Sequence, residues 1–229
     1  MLHIPVLLEE SLDFLLDDLS GIYLDLTFGR GSHSKAILSR LSSSAELHAL
    51  DRDPEAVLYA KKYFTDPRFN IFHANYSEVD TLFPSKKFHG ILLDLGTCST
   101  HFDDHSRGFS FQGNGPLDMR MDTTKGFSAA EFLNKASEKE ISEVLYKYGE
   151  EKASRKIARV IVQHRAKNIF RTTKDLVDIV ESILKRSGKT HPATKTFQGI
   201  RIHVNNELEH LEQALTKLSD LLIEGGVIP

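Results

Sequence analysis

Leu24 to Ser34 read Leu-Asp-Leu-Thr-Phe-Gly-Arg-Gly-Ser-His-Ser, and Asp51 follows Gly31 by twenty residues in Leu-His-Ala-Leu-Asp-Arg-Asp-Pro. An apolar stretch running into a glycine turn, then a helix, then a second apolar stretch ending on an acid is the order of a nucleotide-binding βαβ unit. The glycines let the backbone approach a ligand, the helix start offers free N–H groups, and the acid accepts from ribose hydroxyls. Ser32 and His33 follow Gly31, so the third glycine of a dinucleotide fingerprint is missing. That glycine serves close helix–strand packing around a pyrophosphate. The spacing therefore fits a ligand with a ribose and no pyrophosphate, of which S-adenosylmethionine is one. A third group, Asp94 in Leu92-Leu93-Asp94-Leu95-Gly96, follows another apolar stretch and can accept from an ammonium or an exocyclic amine.

Elements must bring these three groups to one edge. Strands are expected at Ile22–Leu26, Glu46–Leu50, Phe69–His73 and Gly90–Leu95, with helices from about Ser34 and Pro54 between them. Alternation of strands and helices predicts an α/β fold with a parallel sheet, whose ligands sit at the strands' carboxyl ends. From Thr97 to Asp122, Gly, Ser, Asp and Asn punctuation predicts a long loop. Helices are expected over Ser128–Lys135, Glu138–Tyr148, Lys152–Gln163 and Thr173–Lys185. A long helix is expected from Thr196 to Leu222, with Ile200, Val204, Leu208, Leu211, Leu215, Leu218 and Leu222 as its apolar stripe. Gly225-Gly226 would end that helix and Val227-Ile228 would begin a fifth strand. The division expected is a sheet domain over 1–105, an inserted loop and basic helical domain over 106–195, and a return to the sheet domain over 196–229.

A chain of 229 residues with 40% hydrophobic and 27% charged residues can bury a core and is not a disordered segment. The single cysteine, Cys98, excludes a disulfide framework and a cysteine-rich zinc site. His101, Asp103, Asp104 and His105 fall in the expected loop without a further spaced ligand, so no metal is expected. No apolar run reaches the roughly 18 residues of a membrane span, and the first residues lack the pattern of a leader, so a cytoplasmic protein is expected.

The net charge of −3 is unevenly spread. Lys125 to Arg201 holds 17 basic and 9 acidic residues, and Lys152 to Lys174 holds eight basic residues and no acidic one. Lys152, Arg155, Lys156 and Arg159 recur on one helical face, with Ala153, Ile157, Val160 and Ile161 opposite. Ordinary surface helices mix signs, so a single-sign face predicts phosphate, and hence RNA, contact.

These stretches resemble the RsmH/MraW family, which methylates the exocyclic N4 of a cytidine in small-subunit (16S) ribosomal RNA. The likeness runs through His3-Ile-Pro-Val-Leu-Leu-Glu-Glu, Asp25-Leu-Thr-Phe-Gly-Arg-Gly-Ser-His-Ser, Leu50-Asp-Arg-Asp-Pro and Gly90-Ile-Leu-Leu-Asp-Leu-Gly. It continues through Arg107-Gly-Phe-Ser-Phe, Gly115-Pro-Leu-Asp-Met-Arg-Met-Asp, Tyr148-Gly-Glu-Glu and His191-Pro-Ala-Thr-Lys-Thr-Phe-Gln. The resemblance implies a class I (Rossmann-like) S-adenosylmethionine-dependent methyltransferase with an inserted helical domain, acting on the small ribosomal subunit. It implies cofactor contacts from Gly31, Ser32 and His33 at the methionine end, Asp51 on the ribose and Tyr76 beside the adenine, with Asp94 and His101 completing the pocket. The family has glycine where Ser32 stands and glutamine where His101 stands. It also continues past Gly225-Gly226 into further strands, so the chain is expected to be a shortened member with its fourth strand and the apolar stripe uncovered.

An exocyclic cytosine amine is a poor nucleophile, and its methylation needs an acceptor for N–H and in-line alignment with the methyl donor. Asp94, Asp118 and Asp122 are the candidate acceptors, although Asp118 and Asp122 could instead pair with Arg120 or Arg107 and order the loop. Three alternatives carry other expectations. A cytosine-C5 methyltransferase would use Cys98 as nucleophile, but three residues rather than two separate it from Asp94. A nicotinamide-dependent oxidoreductase lacks its third glycine here. A non-catalytic remnant binding RNA or S-adenosylmethionine would follow from the missing C-terminal motif.

Overall fold

A computed structural model of the chain describes residues 7–186, 188 and 190–229. The start of the family-like stretch at His3 lies outside them. The first elements are α1 (Leu8–Leu15), β1 (Ile22–Asp25), α2 (Ser32–Arg40), β2 (Glu46–Asp51) and α3 (Pro54–Tyr63). Next come β3 (Phe69–His73), α4 (Val79–Leu82), β4 (Phe88–Leu92) and α5 (Ser99–Asp103). Five helices follow: α6 (Ala129–Lys135), α7 (Glu138–Lys147), α8 (Ser154–Arg165), α9 (Thr173–Ile183) and α10 (Thr194–Val204). The chain closes with α11 (Glu207–Leu218) and β5 (Leu222–Val227). It divides into two units, Met1–Cys98 with Leu208–Pro229, and Ser99–Glu207.

The first unit is a five-stranded sheet in the order β3-β2-β1-β4-β5, every pairing parallel. Parallel strands need cover on both faces, and alternation along each strand supplies it. Tyr23, Leu47 and Leu92 bury against Leu12 and Leu15 of α1 and Ile37 and Leu38 of α2. Ala49, on the same face of β2 as Leu47, meets Ala56 and Ala60 of α3. Leu24, Leu50 and Ile91 point the other way, toward Val79 of α4 and Ala214 and Leu218 of α11. The helices start where local chemistry fixes them. Asp53 caps α3 by accepting from the Glu55 N–H at 2.9 Å, with Pro54 at the first helical position.

Two expectations fail at the C-terminal end. The helix expected over Thr196–Leu222 is two helices, α10 and α11, broken at Asn205 and Asn206. Asn206 has φ 48°, a left-handed conformation that asparagine tolerates and that ends a helix. Gly225 and Gly226 lie within β5 rather than capping a helix, and β5 pairs with β4. The edge of the fourth strand is therefore covered, contrary to expectation. The pairing shifts register between Phe88 and Gly90, and Gly225 adopts φ +82° in the irregular stretch.

The second unit is helical. Its core joins Leu117, Met119 and Met121 of the long loop to Leu133 of α6, Leu145 of α7, Ile157 and Ile161 of α8, Val180 of α9 and Ile200 of α10. Ser128, Ser137 and Thr172 each close a capping box at the start of α6, α7 and α9. Gly149 is glycine because α10 passes beside it: a Cβ there would lie 2.3 Å from the Lys195 carbonyl oxygen. The sequence placed α10 in the segment returning to the sheet, whereas it packs beside α7 in this unit.

Candidate active site

Because all five strands are parallel, the turn after β1, Asp51 at the end of β2, Tyr76 beyond β3 and Asp94 beyond β4 share the carboxyl edge of the sheet. The glycine turn is held by its neighbours. The Phe28 N–H donates to the Leu50 carbonyl at 3.0 Å, and the Gly29 N–H donates to Asp51 Oδ2 at 2.7 Å. Gly31, at φ +74°, precedes α2, and a Cβ on it would fall 2.3 Å from the Phe64 ring and 2.6 Å from Phe28. No other residue fits that turn. Asp51 also accepts from the Asp53 N–H at 2.8 Å through Oδ1. The two bonds fix the Asp51 carboxylate at the end of the strand, beside the glycine turn.

Ser32 begins α2 and is half-buried, whereas His33 is buried with its Nδ1 3.8 Å from Asp94 Oδ2. Asp94 is the open group of the set, its side chain 60% exposed. Its own N–H donates to Thr27 Oγ1 at 2.8 Å, which ties the loop after β4 to the turn after β1. Tyr76 is buried against Leu50 and Val79. A capping box on Asn75 fixes its turn, with Asn75 accepting from the Ser77 N–H and Glu78 accepting from the Asn75 N–H.

Two residues of this edge, Asp25 and Thr27, were not among the expected site residues. Asp25 is fully buried at the end of β1 and accepts from Ser34 Oγ at 2.6 Å and the Thr27 N–H at 3.0 Å. Burial pushes its carboxyl up from the usual range. The Ser34 hydroxyl, the Thr27 N–H and His33 pull it down by less, and Asp94 adds to the rise. An acid closing an apolar strand immediately before a glycine turn was the available signal.

The remaining expected residues lie in the helical unit. His101 of α5 is buried, its ring stacked on Phe109 with centroids 4.8 Å apart and planes 19° apart. Asp118 is forked by Arg120, Nε to Oδ1 at 2.8 Å and Nη2 to Oδ2 at 2.9 Å, and also accepts from the Arg120 N–H. Burial raises its carboxyl, but Arg120 more than reverses that and holds it below the usual range. Asp122 accepts from the Thr124 N–H and hydroxyl and lies 3.4 Å from Lys125 Nζ. Against burial, these donors hold its carboxyl low as well. Arg107 donates to the Arg120 and Met121 carbonyls. Both acids thus take part in ordering the loop.

Lys152 precedes α8, and Arg155, Lys156 and Arg159 project from it; all four are exposed, with Ile157 and Ile161 buried behind them. One acid does face this surface, Glu138 of α7, with Oε1 3.7 Å from Arg159 Nε. The sequence pattern hid it because it lies one helix earlier. Cys98 sits close to Gly29, its sulfur 3.7 Å from where a Cβ there would be.

The carboxyl edge offers acids held by hydroxyl and amide donors beside an open glycine turn. That donor set suits a ligand bearing hydroxyls and a positive centre, as S-adenosylmethionine does.

Known proteins sharpen this picture. The family model described as the MraW methylase family matches residues 1–229. The ribosomal RNA small subunit methyltransferase H of Idiomarina loihiensis is 48% identical over 233 residues, covering 99% of this chain and 74% of that protein. The protein of the same name from Nitrosomonas eutropha is 47% identical, covering 98% of this chain and 73% of its own length. Among solved structures, mycolic acid cyclopropane synthase CmaA1 complexed with SAH and CTAB is 12% identical with a TM-score of 0.33, covering 93% of this chain and 76% of its own. The fold is that of a class I (Rossmann-like) methyltransferase with a helical insertion, and the chain belongs to the MraW methylase family.

Proposed function

We propose that this chain transfers a methyl group from S-adenosylmethionine to the exocyclic N4 of a cytidine in small-subunit ribosomal RNA. Methyl transfer and the ribosomal substrate follow from the family and from relatives named as small-subunit rRNA methyltransferases. The observation that carries the reading is the assembly of the Gly29–Gly31 turn, Asp51 and Asp94 on the carboxyl edge of one parallel sheet.

S-adenosylmethionine supplies an activated methyl on a sulfonium, and the residues of the chain supply position and proton acceptance. Asp51 holds the ribose hydroxyls, Gly31, Ser32 and His33 lie along the methionine end, and Tyr76 lies beside the adenine. Asp94, open and beyond β4, accepts from the methionine ammonium or from the amine being methylated. An acceptor for one N–H localises the amine's lone pair, and aligning two bound reactants can be worth about 7–11 kcal/mol. Asp118 and Asp122 are weaker candidates because their oxygens serve Arg120, Thr124 and Lys125.

Lys152, Arg155, Lys156 and Arg159 take RNA phosphates. A cytoplasmic setting is proposed because a ribosomal RNA is the substrate. Among the described residues no helix is long and apolar enough to cross a membrane. The test is transfer of a radiolabelled methyl group to unmodified small subunits, followed by nucleoside analysis. N4-methylcytidine is expected, and a C5-methyl product or none would reject the reading. Replacing the four basic residues with Gln should weaken RNA binding and lower the slope of log K against log salt by about 0.7–0.9 per lost phosphate contact. An unchanged slope would make the face a solvated surface only.

A further inference from the structure

A second surface with the chemistry of RNA lies on the sheet unit, outside the groups used above. Arg30, between the two glycines of the turn, places its guanidinium carbon 5.1 Å from the centroid of the Tyr59 ring. Tyr59 and Tyr63, one helical turn apart on α3, have ring centroids 4.7 Å apart. Lys62 Nζ lies 5.1 Å from the Tyr63 centroid. The result is a continuous ladder of cation, ring, ring and cation. Tyr63 is 57% exposed and Leu58, one turn before Lys62, is 66% exposed, so the apolar matter is not hidden in the core. Lys61 is exposed beside them.

Packing against the sheet accounts for Tyr59 and not for the exposed Tyr63 and Lys62. The buried side of α3 is made by Ala56, Val57 and Ala60, small residues that let the helix approach the sheet. Tyr59 leans on the cluster of Phe28, Ala49, Ala56 and Ala60, whereas Tyr63 is exposed, and a solvated position there would be served as well by Gln or Glu. Rings interleaved with cations are what an unpaired nucleic-acid strand uses: bases stack on the rings and phosphates meet the cations. A duplex, whose bases are already stacked, offers the phosphates without the faces. The ladder begins inside the cofactor turn, so a strand lying on it is led to the edge of the sheet where the methyl group is transferred.

We propose that Arg30, Tyr59, Tyr63 and Lys62 form a docking ladder for unpaired RNA flanking the target nucleotide. This rests on the reading of the chain as a ribosomal RNA methyltransferase. Binding of a labelled, unstructured oligoribonucleotide and of a duplex of equal length would be followed by fluorescence anisotropy across a salt series. Tyr63→Ala should weaken single-strand binding on the order of 10-fold, with the salt slope and duplex binding unchanged. Tyr63→Phe should bind as the parent does. Lys62→Gln should lower the salt slope by about 0.7 for the single strand. If Tyr59→Ala perturbs folding, the exposed Tyr63 and Lys62 variants decide the matter. Parental single-strand affinity in Tyr63→Ala, or equal loss for strand and duplex, would overturn the ladder. Methyl transfer by the parent protein separates the two readings. If the parent methylates subunits and the ring variants bind normally, only the ladder fails; if the parent transfers no methyl group, the functional reading fails while ring-dependent binding still upholds the ladder.

Discussion

Asp25 and Asp118 are two carboxylates beside tight turns, and their surroundings drive them in opposite directions. Asp25, at the edge of the sheet, is held by a hydroxyl and a backbone N–H, and burial raises its carboxyl. Asp118, in the helical unit, is forked by a guanidinium that lowers it. Asp122, a neighbour of Asp118, likewise has a cation at hand, Lys125 Nζ at 3.4 Å. A carboxylate matched to an internal cation orders its own loop. One held by neutral donors keeps its attraction for a ligand that brings a positive centre and hydroxyls. The difference separates an acid that orders its own loop from acids at the sheet edge that are proposed to serve the reaction.

Asp118 offers the strongest way to break that division. Removing it in Asp118→Ala leaves the part-buried Arg120 guanidinium without its fork, and stability should fall by about 1.5–3 kcal/mol, the scale of hydrogen bonds to a charged group. Denaturant unfolding checks this. Because its carboxyl is held low, the stability it contributes is present above the unfolded value near 3.8 and is lost as pH falls through the lower folded value. A variant as stable as the parent, or one that loses S-adenosylhomocysteine affinity while remaining fully folded, would move Asp118 among the serving acids.

Asp51→Ala is next. S-adenosylmethionine affinity should drop by about 1.5–3 kcal/mol, the scale of hydrogen bonds to a charged group. Calorimetry on a folded variant with unchanged affinity would remove Asp51 from the site. Some stability should be lost as well, since the Gly29 and Asp53 N–H groups lose their acceptor.

How much of this was legible follows from what each segment shows in one dimension. β3 was expected over Phe69–His73 and is found there, because an apolar run between turn residues has a single reading. The glycine turn and Asp51 were legible for the same reason. α10 and α11 merged because both carry apolar residues at three- and four-residue steps, and the break rests on the backbone of Asn206, whose conformation no periodicity reveals. β5 was obscured by Gly225-Gly226, which resembles a helix stop. In the sheet, Gly226 instead meets the Phe88 carbonyl, where a Cβ would lie 3.1 Å from the oxygen. The partner of Asp118, Arg120, lies two residues on, close enough for the pairing to be expected from the sequence. The partner of Asp25, Ser34, is nine residues away and shown only by folding.

A pH titration of stability sharpens the contrast without touching the ligand. The raised carboxyl of Asp25 gives stability that is fully present below the unfolded value near 3.8 and is lost as pH rises from there through the higher folded value. Asp25→Asn should therefore flatten a loss of stability on going from acid toward neutral pH, whereas Asp118→Asn should flatten a loss on going toward acid. Unfolding curves collected over that range for both variants would have to diverge in sign. Parallel profiles would mean that the two environments do not differ as their donors imply.

The smallest expected effect on stability belongs to Asp94, and it is the most discriminating. Its backbone N–H, not its carboxylate, fastens the loop through Thr27, and the side chain lies mostly in solvent with His33 at 3.8 Å. Exposed pairs contribute little, so Asp94→Asn should change unfolding stability by no more than about 0.5 kcal/mol. Its consequence should fall on function: weaker binding if the carboxylate meets the methionine ammonium, or a lower kcat at unchanged affinity if it accepts from the amine being methylated. Measuring unfolding, S-adenosylmethionine affinity and turnover on one preparation separates these outcomes. A loss of 2 kcal/mol in stability would show that Asp94 builds the edge as Asp118 builds its loop, and the contrast between the two units would not hold at the residue where it matters most.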